Sequence, residues 1–226
     1  MPVFRLARKK VFPPPELAEK DGLLAVGGDL SGDRLLLAYS MGIFPWYSDD
    51  SPILWWAPDP RLVLFPREFR LSRSLRQTIR KGTYSVTFDT AFSDVIRNCA
   101  GVRRGEKGTW ITSEMIVAYC GLHEAGVAHS VESWSDGELV GGLYGVALGR
   151  VFFGESMFTF KKDASKVALE RLVRRLIEQD FLVIDCQMTT KHLLSLGARE
   201  IPRSEFMGIL KLGLEKPIVR GKWSPS

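Results

Sequence analysis

VFFGESMFTFKKDASKVALERLVRRLIEQDFLVIDCQ, residues 151–187, decides the fold. Val151–Ser156 is a short apolar-rich run that reads as a strand. From Asp163 to Gln179 the apolar residues Val167, Leu169, Leu172, Val173, Leu176 and Ile177 recur with helical spacing. Arg171, Arg174, Arg175 and Glu178 fall on the opposite, wet face. Phe181–Gln187 is apolar almost throughout, as expected of a strand buried in the middle of a sheet.

Upstream, His129–Trp134, a turn at Asp136-Gly137 and Leu139–Leu148 predict a hairpin. The pair Gly149-Arg150 turns the chain again, so three antiparallel strands run in series before the long helix. Downstream, a short helix over Thr190–Leu196 stops at Gly197; a strand Ala198–Pro202 and a helix Ser204–Leu212 follow. Further upstream, Leu71–Lys81 predicts a basic helix, Tyr84–Phe88 a strand and Thr90–Ala100 a helix. Arg103–Gly108 reads as a polar loop, and Thr112–Ala125 as a helix capped by Thr112 and ended by Gly126. The first sixty or so residues differ, being crowded with Gly, Pro and Trp. One helix fits there, Asp33–Met41, with Ser31 or Asp33 as its cap and Gly42 as its end. The expected division is a small irregular domain over 1–62 and a regular domain over 63–226.

The chain has 226 residues, 45% hydrophobic and 25% charged, enough apolar side chain for a true core. A net charge of +5 favours anionic partners, nucleic acid among them, without demanding them. Cys99, Cys120 and Cys186 are odd in number, and neither they nor His123, His129 and His192 have metal-ligand spacing. Neither a disulfide framework nor a metal site is expected. The basic N-terminus runs into Pro13, Pro14 and Pro15, unlike a signal peptide, and no stretch is apolar for a membrane span. A cytoplasmic protein with no membrane partner is expected.

This element order is similar to the acyl-CoA N-acyltransferase (GNAT-like) fold, so the expected class is α+β with a GNAT-like α/β domain. In that fold a glycine-rich loop before the long helix binds the pyrophosphate of coenzyme A. The corresponding stretch, Met157–Asp163, has no glycine. Side chains crowd its backbone amides, which points to an acyltransferase without coenzyme A and with no cofactor.

Ordered blocks carry a more specific resemblance. They include Gly22–Leu30, Gly42–Trp46, Leu54–Arg61, Gly108–Thr112, Ala128–Glu132, Gly141–Val146, Phe153–Phe158, Ile184–Gln187 and Leu196–Ala198. Together they resemble the leucyl/phenylalanyl-tRNA–protein transferases over nearly the whole chain. The resemblance implies an aminoacyltransferase acting in N-end rule protein degradation. Its donors would be leucyl-tRNA and phenylalanyl-tRNA, with methionyl-tRNA weaker. Its acceptors would be proteins with N-terminal Arg or Lys. The ester is already activated, so neither ATP nor metal is needed, and a monomer suffices.

On this resemblance Tyr39, Trp46, Trp110 and Tyr119 correspond to aromatics that contact substrate and the terminal adenosine. Stacking is worth about 1–3 kcal/mol per base. Without it, core packing is the simpler account of these rings. Leu143, Phe152 and Ile184 correspond to the lining for the transferred side chain, although plain strand core fits them equally. Asp185, Gln187 and Glu155 correspond to the catalytic group. Residues alone show that Glu155 and Asp185 end apolar strands, where a carboxylate needs a partner: a cationic substrate, or an ion pair with Lys161, Lys166 or an arginine. Strand alternation puts Asp185 and Gln187 on one face and Cys186 opposite, which argues against a covalent Cys186 nucleophile. Arg73, Arg76, Arg80 and Lys81 on the basic helix, and Arg103, Arg104 and Lys107 in the polar loop, are the expected tRNA contacts. A solvated charged face would account for them as well. Two other functions fit parts of the pattern: a coenzyme-A-dependent acetyltransferase, and a tRNA-binding module without catalysis.

Overall fold

The computed structural model describes residues 3–104 and 110–223. The Gly/Pro/Trp-rich beginning folds as a four-stranded sheet ordered β1-β2-β4-β3, built from β1 (Phe4–Leu6), β2 (Leu23–Gly27), β3 (Phe44–Pro45) and β4 (Leu54–Trp56). One helix, α1 (Gly32–Ser40), packs beside it, close to the expected span. Ser31 stands at the N-cap, yet its side chain makes no capping bond; its backbone amide instead donates to Asp29 Oδ1 at 2.9 Å. The indole of Trp55 is fully buried and donates to the Gly27 carbonyl, tying β4 to β2 by a side chain as well as by the ladder.

The rest of the chain builds a seven-stranded sheet ordered β11-β5-β10-β9-β8-β7-β6. Its members are β5 (Arg61–Leu64), β6 (Ser85–Phe88), β7 (Ala128–Ser135), β8 (Glu138–Leu148), β9 (Val151–Thr159), β10 (Val183–Gln187) and β11 (Arg199–Ile201). The three-strand meander expected from the sequence is β7-β8-β9. Its first turn has positive φ at both Asp136 and Gly137, the conformation of a two-residue hairpin loop. Within this sheet, among the described residues, only β9 and β10 run parallel, joined through α5 (Ala164–Glu178).

Two apolar cores flank the large sheet. One face is covered by α5, whose Leu169, Leu172 and Leu176 pack on Leu143, Phe152 and Ile184. The other is covered by α3 (Phe92–Arg104), α4 (Ser113–Glu124) and α7 (Arg203–Leu214), through residues such as Val95, Met115 and Phe206. Thr112 caps α4 as expected, its Oγ1 accepting from the Met115 amide. The helices α2 (Arg73–Arg80) and α6 (Lys191–Ser195) lie at the periphery, capped by Ser72 and Thr190. α3 runs four residues past its expected end, so Arg103 and Arg104 belong to a helix rather than to a loop. Helical hydrogen bonds carry the chain through Gly101, which costs a helix only about 1 kcal/mol.

Candidate active site

The recorded pairing of β9 with β10 covers Val151↔Val183, Phe152↔Ile184 and Phe153↔Asp185, and goes no further. Beyond it lies a cavity of about 430 Å³, a size suited to a small ligand. Leu143, Phe152, Met157, Leu172 and Ile184 make its walls apolar, and Glu155 and Gln187 supply polar groups. Trp46 and Trp110 also line it; Trp46 is 37% exposed and lies edge-on to Trp56.

Glu155 sits where β9 bulges. Tyr144 pairs with Ser156 and Gly145 with Gly154, so Glu155 is the extra residue and its side chain is re-aimed. Its Oε1 accepts from Tyr39 Oη at 2.7 Å and from Gln187 Nε2 at 2.9 Å; its Oε2 accepts from Tyr119 Oη at 3.1 Å. The two phenol oxygens also touch each other. Burial, opposed by the three donors and reinforced by nearby Asp185, raises the Glu155 carboxyl from 4.5 to about 7. Burial and Glu155 itself push both phenols well above their usual range. With Glu155 protonated, its Oε2 hydroxyl becomes the donor to Tyr119 and frees the Tyr119 proton for Tyr39, so each of the three oxygen–oxygen contacts carries a hydrogen. The arrangement can therefore hold a proton near neutral pH and release it again.

Asp185 is placed differently from what strand alternation suggests. Its carboxylate is fully buried and takes two bonds from Arg61, Nε to Oδ1 at 2.8 Å and Nη2 to Oδ2 at 2.6 Å. The Arg61 guanidinium is itself covered by the rings of Phe44 and Phe206. The partner is thus an arginine, and Asp185 is absent from the cavity wall. Asp185 Oδ1 also accepts from the backbone amide of Gln187 at 2.9 Å. That bond accompanies a register shift against β5 and a left-handed φ of 62° at Gln187. The irregularity breaks the period of two, so Cys186 lines the same cavity as Gln187 instead of facing away. Burial and the Asp185 charge push the Cys186 thiol up, the opposite of what an activated nucleophile needs. A Cys186→Ala variant is expected to keep its catalytic rate within a few-fold; a collapse in single-turnover rate would contradict this.

Leu143, Phe152 and Ile184 stand on the cavity wall, as do Trp46 and Trp110. Tyr39 and Tyr119 do not: both are fully buried behind Glu155, because α1 and α4 pack face to face there and point both hydroxyls at the carboxylate. Arg73, Arg76, Arg80 and Lys81 are all exposed on or beside α2. Arg103 and Arg104 end α3, while Lys107 lies outside the described residues. Arg61 is a functional residue that periodicity does not mark; a lone arginine heading the apolar strand Arg61–Leu64 is the signal the sequence carries.

Two family models match the chain. "Leucyl/phenylalanyl-tRNA protein transferase" covers residues 63–211, and the N-terminal domain model of the same family covers 28–59. The chain belongs to this family. Curated leucyl/phenylalanyl-tRNA–protein transferases similar to it include that of Syntrophobacter fumaroxidans, 62% identical over 224 residues, which span 99% of this chain and 96% of that one. Another, from Desulfatibacillum aliphaticivorans, is 59% identical over 225 residues, 99% of this chain and 97% of its own. Among solved structures, the ribosomal-protein-alanine N-acetyltransferase of Brucella melitensis biovar Abortus 2308 is similar at a TM-score of 0.35 and 16% identity, over 45% of this chain and 79% of that one. An aminoglycoside acetyltransferase from a soil metagenome is similar at 0.40 and 12%, over 65% and 99%. As a leucyl/phenylalanyl-tRNA–protein transferase family member, the chain is an aminoacyltransferase. In the loop before α5 the amides of Phe160 and Lys161 donate to the Val140 carbonyl and that of Ala164 to the Lys161 carbonyl.

Proposed function

We propose that this enzyme transfers leucine or phenylalanine, and methionine more weakly, from aminoacyl-tRNA to the α-amino group of proteins beginning with Arg or Lys. The observation that carries the reading is a buried carboxyl group, held by Tyr39, Tyr119 and Gln187, beside an apolar cavity of side-chain size. The leucyl or phenylalanyl side chain fills the cavity between Leu143, Phe152 and Ile184. An apolar pocket discriminates by only about 1–3 kcal/mol per methylene, which accounts for leakage to methionine. The terminal adenine stacks on Trp46 or Trp110.

The α-amino nitrogen attacks the ester carbonyl, and the new C–N bond forms as the C–O bond to the ribose breaks. The ammonium nitrogen sheds two protons: Glu155 takes the first and later gives it up to solvent, and the second passes to the departing ribose oxygen, which leaves the neutral amide. Gln187, with its amide nitrogen committed to Glu155, offers its carbonyl oxygen to orient the amine. Asp185 acts at one remove, by holding the backbone of Gln187 in its left-handed turn.

Residues 1–62 and 63–226 form the two domains on this reading, with Phe44, Pro45 and Trp46 of the first lending a wall to the cavity of the second. The enzyme works in the cytoplasm as a monomer, and its products enter N-end rule degradation. Arg73, Arg76 and Arg80 follow one another at helical spacing on exposed turns of α2, where they meet acceptor-stem phosphates. Replacing Arg76 and Arg80 by alanine should weaken leucyl-tRNA binding and flatten its salt dependence by roughly one unit of log–log slope per lost contact. Equal slopes for parent and variant would remove α2 from the tRNA interface.

The test of the function is transfer of radiolabelled leucine from leucyl-tRNA to a reporter beginning with Arg, beside the same reporter beginning with Gly. Labelling of the first alone is expected. Tight binding of leucyl-tRNA without transfer to either would leave a binding module.

A further inference from the structure

Beyond α7 the chain does not trail away. It returns along the large sheet, where the Gly221 amide donates to the Gly126 carbonyl at 3.1 Å. Gly126 has a φ of 72°, and a Cβ there would stand 2.3 Å from the Gly221 nitrogen, so only glycine lets this strap lie down. The strap ends its described course by inserting Trp223, which is 8% exposed. The Trp223 amide donates to Asp89 Oδ2 at 2.6 Å, and its ring stacks on His129 at 4.0 Å with 8° between planes. Asp89 is held in turn by the Ser130 amide and by His129 Nδ1, each at 2.8 Å.

The indole also meets Phe152, with ring centroids 5.9 Å apart, and the Arg175 guanidinium lies over the indole at 4.9 Å from its centroid. Phe152 is a wall of the acyl cavity. The ring also packs on Gly145, where a Cβ would come within 2.6 Å of the Phe152 ring edge. The Phe152 ring thus lies between the Gly145 backbone and the Trp223 indole.

We propose that Trp223 is a positioning residue that fixes the depth of the acyl cavity by backing Phe152, and so sets the preference between leucyl and phenylalanyl donors. This rests on the proposed function, because it assigns the cavity to the transferred side chain. With the indole removed, Phe152 retreats toward the vacated slot and the cavity deepens. The longer phenylalanyl side chain gains from the extra depth, whereas leucine loses contact.

The experiment measures kcat/KM for leucyl-tRNA and phenylalanyl-tRNA with the parent, Trp223→Ala, Trp223→Leu and Trp223→Phe. The phenylalanine-to-leucine ratio should rise about tenfold in Trp223→Ala, less in Trp223→Leu, and stay within about twofold of the parent in Trp223→Phe. Trp223→Leu, which keeps the slot apolar but cannot span the Phe152 ring, carries the test if the alanine variant does not fold. A ratio unmoved while both substrates slow in parallel would make the strap a stabilising element only and overturn the proposal. Transfer of neither amino acid by the parent would overturn the function itself, and the role of Trp223 with it.

Discussion

Replacing Glu155 by glutamine is expected to slow leucyl transfer by about 10²–10⁴-fold while the protein stays folded. Glutamine fits the same space and can close the same ring of hydrogen bonds. Its amide nitrogen donates to Tyr119, Tyr119 donates to Tyr39, and Tyr39 donates to the amide oxygen, which replaces the contacts of the protonated acid. Only the capacity to take up a proton is lost. Stability gives an independent reading. The folded-state pKa of about 7 lies above the ordinary glutamate value of 4.5, so the folded state holds the proton more tightly than the unfolded chain. The parent is therefore most favoured below pH 4.5 as far as this group is concerned, and loses that contribution as pH rises through 7. The loss amounts to at most about 3 kcal/mol. Glu155→Gln should escape it, so the melting temperatures of variant and parent should diverge in the variant's favour between pH 5 and pH 8. Parallel curves would mean that Glu155 titrates normally.

The second large effect concerns Arg61 and Asp185. Both are buried, and they satisfy one another through two bonds. Arg61→Met alone strands a carboxylate in the interior and should cost about 3–5 kcal/mol, as should Asp185→Leu alone. Making both changes removes both charges, so the double variant should be more stable than either single one. It should nonetheless stay inactive, because Gln187 loses the carboxylate that accepts its backbone amide in the left-handed turn. Urea midpoints and transfer rates of the three variants check both halves. A double variant with restored transfer would reduce Asp185 to an ion-pair partner.

Periodicity made most of the framework legible. The apolar face of α5, the Asp136-Gly137 turn and the Thr112 cap each have a local cause, and each stands close to where that cause puts it. What stayed hidden depends on chain segments that meet across long separations. β5 inserts between β10 and β11, and nothing near Arg61 announces a partner 124 residues away. The irregularity at Gln187 defeats alternation, which assumes an unbroken ladder, and so moved Cys186 onto the cavity. Tyr39 and Tyr119 carry the polar work of holding Glu155, a role that an aromatic residue's identity does not disclose. The strap that ends in Trp223 has no periodicity to read, and its anchors at Gly126 and Asp89 are visible only in three dimensions.

The most direct test is the pH dependence of single-turnover leucine transfer at saturating leucyl-tRNA and acceptor, for the parent and Glu155→Gln. The parent rate should climb to a plateau through an inflection at about pH 7, the Glu155 carboxyl losing its proton. The variant should lack that inflection and follow only the acceptor amino group, near pH 8. Profiles of the same shape in both proteins would show that Glu155 does not take the proton.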